Sequence, residues 1–497
     1  MFNTAINNNT VPEKAVSNGE AIVIGGSIAG MLAARVLTDH FNKVTIVERD
    51  HLPEQPAPRS GVPQSYQIHV LLTQGQRIIE QLFPGLSEEL TVHGASRINW
   101  TTDAKLLLPG GWAPHFTSQI SSSNCSRILL ESVIRQRLKS NSRLEFQEAS
   151  IVTGLLTNTS NTAVTGVRVK NSNGTETELS AQLVIDASGR NSKASEWLQS
   201  LGYDQPIETV VNSFLGYSTR WYQSLAGKSL DHKALYIMPS APDCTRGGII
   251  YQIEGDRWGV ILMGVSRDYP PTDETGFLEF ARSLRSPEVY EAIKDAQPIS
   301  PIYGYKRTEN RLLHYEKLSR WPENFLVIGD AVCAFNPVYG QGMTTAALGA
   351  ITLDQCLKQF KQHGSNQDLK GLAQNFQQHL AQVNATPWMM ATSDDFRWAM
   401  TEGGRPNLIM RLMHWYIDQV MLTVNNNTQV HKVFTELLHL LKRPNALFQP
   451  GVLIPVFLQV MNRSSKMTLK TLGETTAKLF RSSTVSNAEK IPQDING

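Results

Sequence analysis

Asp330 and the glycine-rich loop that follows it carry the clearest chemical signal in the chain. Asp330 comes after an apolar run, Phe325-Leu326-Val327-Ile328, and after Gly329. Asn336-Pro337 then breaks the backbone, and Gly340-Gln341-Gly342 leads into small residues from about Met343. The run predicts a buried strand, the break a loop, and the small residues a helix. Free N–H groups and the positive end of a helix favour an anionic or carbonyl-rich ligand at that point. An ionised Asp accepts hydrogen bonds and donates none, so Asp330 suits the hydroxyls of a sugar or polyol.

A second glycine constellation lies near the start. Ala21-Ile22-Val23-Ile24 predicts a short strand, Gly25-Gly26-Ser27-Ile28-Ala29-Gly30 a turn, and Met31 to Thr38 a helix. Lys43 to Val47 supplies the next strand, which ends in Glu48-Arg49. The pattern G-x-G-x-x-G is met at Gly25 and Gly30, with Ser27 at the middle glycine, where a pyrophosphate approaches closely. Glu48 follows Gly30 at about the spacing at which an acidic residue takes ribose hydroxyls. Strand, turn, helix, strand and Glu in this order predict a nucleotide fold.

These residues need scaffolding, and the rest of the chain supplies it. Pro58-Arg59-Ser60-Gly61-Val62-Pro63-Gln64 is a loop reaching His69, which is either a proton donor or a structurally satisfied side chain. Ser126-Arg127-x-x-Leu130-Glu131 opens a helix whose apolar side is Leu129, Val133, Ile134 and Leu138. Leu144–Glu148 and Ile151–Leu156 read as strands, and Val164–Val169 and Glu176–Leu179 as a hairpin across Asn173-Gly174. Leu183 to Asp186 is a buried strand running into Ala187-Ser188-Gly189.

From about Val210 the pattern turns β-rich, over Phe214–Trp221, Ala234–Met238, Gly248–Ile253 and Trp258–Val265, with Gly255-Asp256 as a hairpin turn. Thr272-Asp273 then caps a helix. Residues 385–480 read as helical, with Trp388, Met389, Met390, Trp398, Met400, Met410, Met413 and Trp415 clustered there. Such a cluster is core, an apolar lid or a peripheral membrane surface.

Composition narrows the function. A net charge of +2 with 18% charged residues gives no field suited to nucleic acid. Cys125, Cys244, Cys333 and Cys356 lie far apart with no C-x-x-C pair, as expected of reduced intracellular thiols. No H-E-x-x-H, G-x-S-x-G or Cys–His metal spacing occurs. Met1 to Glu20 is polar and Asn-rich, and Leu447–Met461 is too short and too interrupted to span a bilayer. A soluble, cytoplasmic protein is expected.

The motifs together resemble class A flavoprotein monooxygenases of the para-hydroxybenzoate hydroxylase type, over roughly residues 20–385. The Arg59 loop and the Phe335–Met343 loop look most similar to the bacterial branch that includes polyether-pathway epoxidases. The resemblance implies an α/β fold: a Rossmann-like FAD-binding domain, an inserted mainly β substrate domain and a C-terminal helical region. The expected boundaries are a disordered lead at 1–20, FAD-binding parts at 21–209 and 301–384, and the substrate domain at 210–300. The helical region then covers 385–480, and a loose tail 481–497.

It further implies that Asp330 binds the ribityl chain of FAD. Pro337, Gly340, Gly342 and Met343 lie against the isoalloxazine ring, where backbone N–H groups stabilise the reduced, anionic flavin. Gly25, Ser27, Gly30, Glu48, Arg49 and Arg127 also contact FAD, and Val152 offers a backbone contact to adenine. Arg59 is implied in flavin movement or pyridine nucleotide contact. Asp186 belongs to a motif associated with FAD and NAD(P)H, although Ser188 stands where the family has its Asp.

The implied reaction uses NAD(P)H to reduce FAD, then O₂, and delivers one oxygen atom from a C4a-hydroperoxyflavin. An apolar small metabolite is hydroxylated or epoxidised; the flavin carries the reaction, and no protein residue is assigned as catalytic. A geranylgeranyl reductase-type enzyme and a flavin-bearing binding protein remain alternatives. A flavin-dependent halogenase shares the fold, but the chain has no Trp-x-Trp pair. It also has no lysine between His51 and Ala104, where a halogenase would be expected to carry its catalytic one.

Overall fold

Short runs of consecutive apolar residues are buried on both faces only inside a parallel sheet covered by helices. The computed structural model, which describes residues 17–223, 231–363 and 369–463, has that sheet. Its five parallel strands stand in the order Phe325–Val327, Leu183–Asp186, Ser17–Ile24, Phe41–Val47, Leu144–Gln147. Ala21 lies between Leu183 and Val44, and Leu326, Ile185, Val23 and Ile46 in the first four of these strands are fully buried.

The first strand begins at Ser17, within the expected lead, because residues there pair with the start of Phe41–Val47. Residues 1–16, the expected helical stretch at 464–480 and the tail lie outside the described residues. The first helix runs Ile28–Leu37 and so starts earlier than the expected Met31. Gly25, with φ +100°, makes the whole turn by itself, leaving Ser27 free to be the N-cap. This helix packs against the Gly342–His363 helix. Gly30 allows the close approach to the turn: a Cβ there would sit 1.8 Å from the Gly25 carbonyl oxygen.

A seven-stranded sheet lies beyond, in the order Tyr303–Tyr305, Gly216–Gln223, Arg257–Gly264, Arg246–Ile253, Ala234–Ile237, Ala104–Leu108, Gly111–Trp112. It extends past the expected 210–300 on both sides. Ala104–Leu108 pairs in parallel with Ala234–Ile237 and buries Leu107 and Leu108. That five-residue strand is too short to announce itself by periodicity. Ile253 pairs with Arg257, and in the three-residue turn between them Gly255 and Asp256 take the left-handed φ of +72° and +53°. Asp273 caps the Glu274–Arg282 helix through the Gly276 N–H.

The C-terminal region is helical as expected: Leu372–Asp395, Leu408–Val424, Thr428–Leu438 and a helix over 450–463. Val420, Val424, Val452 and Val456 pack together with Leu108, so these helices close on the edge of the large sheet. No described helix is long and apolar enough to cross a membrane.

The Gly30 contact gives a test of the packing. Gly30→Ala is expected to lower stability by about 1–3 kcal/mol through overpacking. A urea midpoint equal to that of the wild type would contradict the close approach.

Candidate functional site

Loops at the carboxyl ends of the parallel strands converge, as they must in an open α/β sheet. One buried carboxylate organises the first of them. Glu131 Oε1 accepts from Ser27 Oγ at 2.7 Å and from Arg127 Nε at 2.8 Å, and Arg127 Nη2 also donates to Ser27 Oγ at 2.8 Å. Glu131 Oε2 accepts from Arg59 Nη2 at 3.1 Å, while Arg59 Nη1 lies 3.2 Å from Glu48 and 3.4 Å from Asp50. Burial acts to raise the Glu131 pKa, but Arg127, Arg59 and the Ser27 hydroxyl hold it down to about 2. It stays ionised.

Arg59 is therefore an anchor, its side chain only 3% exposed. Glu48 is engaged as well, accepting from Gly26 N at 2.7 Å and Asp50 N at 3.0 Å. Asp186, fully buried, accepts from Ser188 N and Ser192 Oγ and so shapes the turn beyond it. Val152 packs within the main core. Gly25 and Gly30 serve the turn itself. These six stand behind the cavity wall rather than on it.

The cavity has a volume of about 880 Å³. At the strand ends it is lined by Ser27, Arg49, Arg127, Asp330, Pro337, Gly340, Gly342 and Met343, all expected site residues, and by Arg190 and Gln341. Asp330 is half-buried, and no described residue donates to its carboxylate. Burial raises its pKa, against the pull of Arg190 and Arg127. Arg190 is itself tied to Glu309 and to the Phe335 carbonyl at 2.7 Å. His69 lies on the wall between Arg127 and the Gln67 carbonyl, and burial and Arg127 push its pKa down to about 3. Facing an arginine N–H, Nε2 must accept, so the ring is neutral and satisfied.

The loop after Phe335 is held from outside the motif. Asp395 accepts from Tyr339 OH at 2.7 Å, Asn310 Nδ2 at 2.6 Å, Ser213 Oγ at 3.0 Å and Asn336 Nδ2 at 3.3 Å. Burial lifts its pKa to about 7 despite those donors, with Asp394 adding to the rise. Gly340 has φ +63°, and a Cβ on Gly342 would meet nothing within 4 Å.

Towards the large sheet the wall turns apolar, with Leu215, Tyr217, Tyr236, Met238, Ile261 and Met263, and the C-terminal helices add Met389, Met413 and Met421. Phe214 and Trp221 point elsewhere: Phe214 lies under Arg267, and Trp221 Nε1 donates to the Tyr66 carbonyl. Sequence reasoning passed over Glu131 and Asp395. Glu131 had one signal, its i+4 spacing from Arg127; Asp395 had none. Among the described residues no group of three or more His, Cys, Asp or Glu side chains could hold a metal.

Residues 18–215 match the family model described as "FAD binding domain". Protein Rv3254 of Mycobacterium tuberculosis (strain ATCC 25618 / H37Rv) is 31% identical over 393 residues, covering 76% of this chain and 80% of that one. The chain belongs to the same FAD-binding flavoprotein family as Protein Rv3254. Two solved structures share the fold of this flavoprotein. The flavin-dependent brominase Bmp2 aligns with a TM-score of 0.63 at 14% identity, covering 90% of this chain and all of that one. PqsL, a probable FAD-dependent monooxygenase from Pseudomonas aeruginosa, aligns with a TM-score of 0.54 at 18% identity, covering 76% and 98%.

The cavity's donor set fits FAD. Asp330 is an acceptor without a protein partner, the helix beginning at Gly342 brings free N–H groups, and Gly342 leaves open space beside them. Gln341 Oε1, buried without a donor, adds an acceptor for a ligand N–H.

The Glu131 cluster predicts its own pH dependence. The folded pKa of Glu131 lies below its ordinary value, so its contribution is present above about pH 4.5 and lost as pH falls towards 2. Glu131→Gln is expected to cost about 3 kcal/mol at neutral pH, because two guanidinium groups lose a buried partner. Urea melts across that pH range should show a shallower acid loss in the variant; parallel curves would contradict the assignment.

Proposed function

We propose that this flavoprotein is a monooxygenase that uses NAD(P)H and O₂ to hydroxylate or epoxidise a largely apolar small metabolite. The observation that carries the proposal is a single cavity, polar at the strand ends and apolar beyond. Bound FAD would supply electron storage and oxygen activation. The chain's own residues do the rest. Asp330 accepts from ribityl hydroxyls, Arg49 and Arg127 offer cationic donors, and N–H groups around Gly342 and Met343 face developing negative charge on the ring. The apolar wall excludes water and holds the substrate by shape, with few polar anchors.

Halogenation is less well supported, since no lysine among the described residues lines the cavity. With ¹⁸O₂, one labelled atom is expected in the product. Product formed without O₂ from reduced enzyme would favour a reductase, and a halogenated product would sink the oxygen-transfer reading.

Asp330 provides the cofactor test. Asp330→Ala is expected to weaken FAD binding roughly ten- to a hundredfold, the loss of about 1.5–3 kcal/mol for a charge-assisted hydrogen bond. Equal affinity in a flavin titration would confine Asp330 to a structural role.

A further inference from the structure

The C-terminal helices leave an apolar face that the described fold does not cover. On Leu408–Val424, Val420, Thr423 and Val424 turn inward, while Leu408, Ile409, Leu412 and Trp415 recur at helical spacing and are 54–72% exposed. On the helix over 450–463, Val452 and Val456 turn inward, and Ile454, Phe457, Leu458 and Met461 stay exposed. The two helices are joined by the Thr423–Gln459 hydrogen bond at 3.3 Å and by their shared valine core. Single exposed apolar residues are ordinary; stripes on adjoining helices mark an interaction surface.

Two observations say what that surface meets. Ile409, Phe448, Leu438 and Met389 are exposed and also line the cavity, so its mouth opens on the apolar face. The face is also flanked by cations. Arg411, Arg443 and Arg463 are exposed and make no ion pair among the described residues, whereas nearby Asp418 and Glu436 are paired with Arg397 and Lys442. A second copy brought against this face would set like charges together and stop the cavity mouth. Anionic headgroups around an acyl layer complement both the cations and the stripes.

We propose that these two helices dock in the plane of an anionic lipid bilayer surface, with the cavity mouth turned to the lipid. The docking surface stands independently of the reaction proposed above.

The test is co-sedimentation of the full-length, FAD-loaded protein with vesicles. Binding to phosphatidylcholine mixed with phosphatidylglycerol is expected to exceed binding to phosphatidylcholine alone. Leu412→Glu combined with Phe457→Glu, neither of which lines the cavity, should lower binding about tenfold or more while the flavin spectrum is kept. A readout on unaltered protein guards against a misfolded variant. Lipids brominated in their acyl chains should quench fluorescence in the wild type, and much less in Trp415→Phe. Wild type left in the supernatant with both vesicles would overturn the proposal. So would a dimer that the Glu substitutions convert to monomer, or equal quenching in Trp415→Phe.

Discussion

One buried carboxylate, Glu131, holds the strand-end side of the cavity together. It binds three segments far apart in sequence: the Ser27 turn, the Arg59 loop and the start of its own helix at Arg127. In a site shielded from water, a charge left without its partners is costly, so the three segments are secured as a unit or not at all. Arg127 and Ser27 reach the cavity wall only from that clasp. Glu48 and Arg59 serve it from behind, which explains why neither presents a free group to the cavity.

The opposite wall is fixed by a second buried carboxylate with the reverse electrostatic outcome. Asp395 has four hydrogen-bond donors and no cation in contact, and its pKa rises where that of Glu131 falls. Its partners belong to the segment at Ser213 that leads into the large sheet, to the strand at Asn310 and to the loop at Asn336 and Tyr339. Both walls are thus set by polar groups satisfied within the protein. Asp330 differs. It sits between them with no donor, and an unpartnered carboxylate is retained where a ligand completes it.

What could be read from sequence was local. The Gly25 turn, the Gly255-Asp256 hairpin and the Asp273 cap each follow from the conformations that their own residues permit. The parallel strands followed from unbroken apolar runs, and the Asp330 loop from its glycines and proline. Ala104–Trp112 escaped because its membership of the large sheet rests on pairing with Ala234–Ile237, far along the chain. Asp395 escaped for the same reason, and Glu131 in part: Arg127 is local to it, but Ser27 and Arg59 reach it only after folding. Phe214 opens the β-rich run, but with φ +52° it leaves the strand alternation that carries Leu215 and Tyr217 inward.

In the proposed reading Asp330 and the loop through Gly342 face FAD while Glu131 and Asp395 hold the walls. A crystal structure of the FAD-loaded protein tests it most directly. Asp330 is expected within hydrogen-bonding distance of a ribityl hydroxyl, with the Glu131–Arg127–Ser27 contacts retained. A flavin bound away from Asp330, or Glu131 released from Arg59 and Arg127 to meet the cofactor, would contradict it.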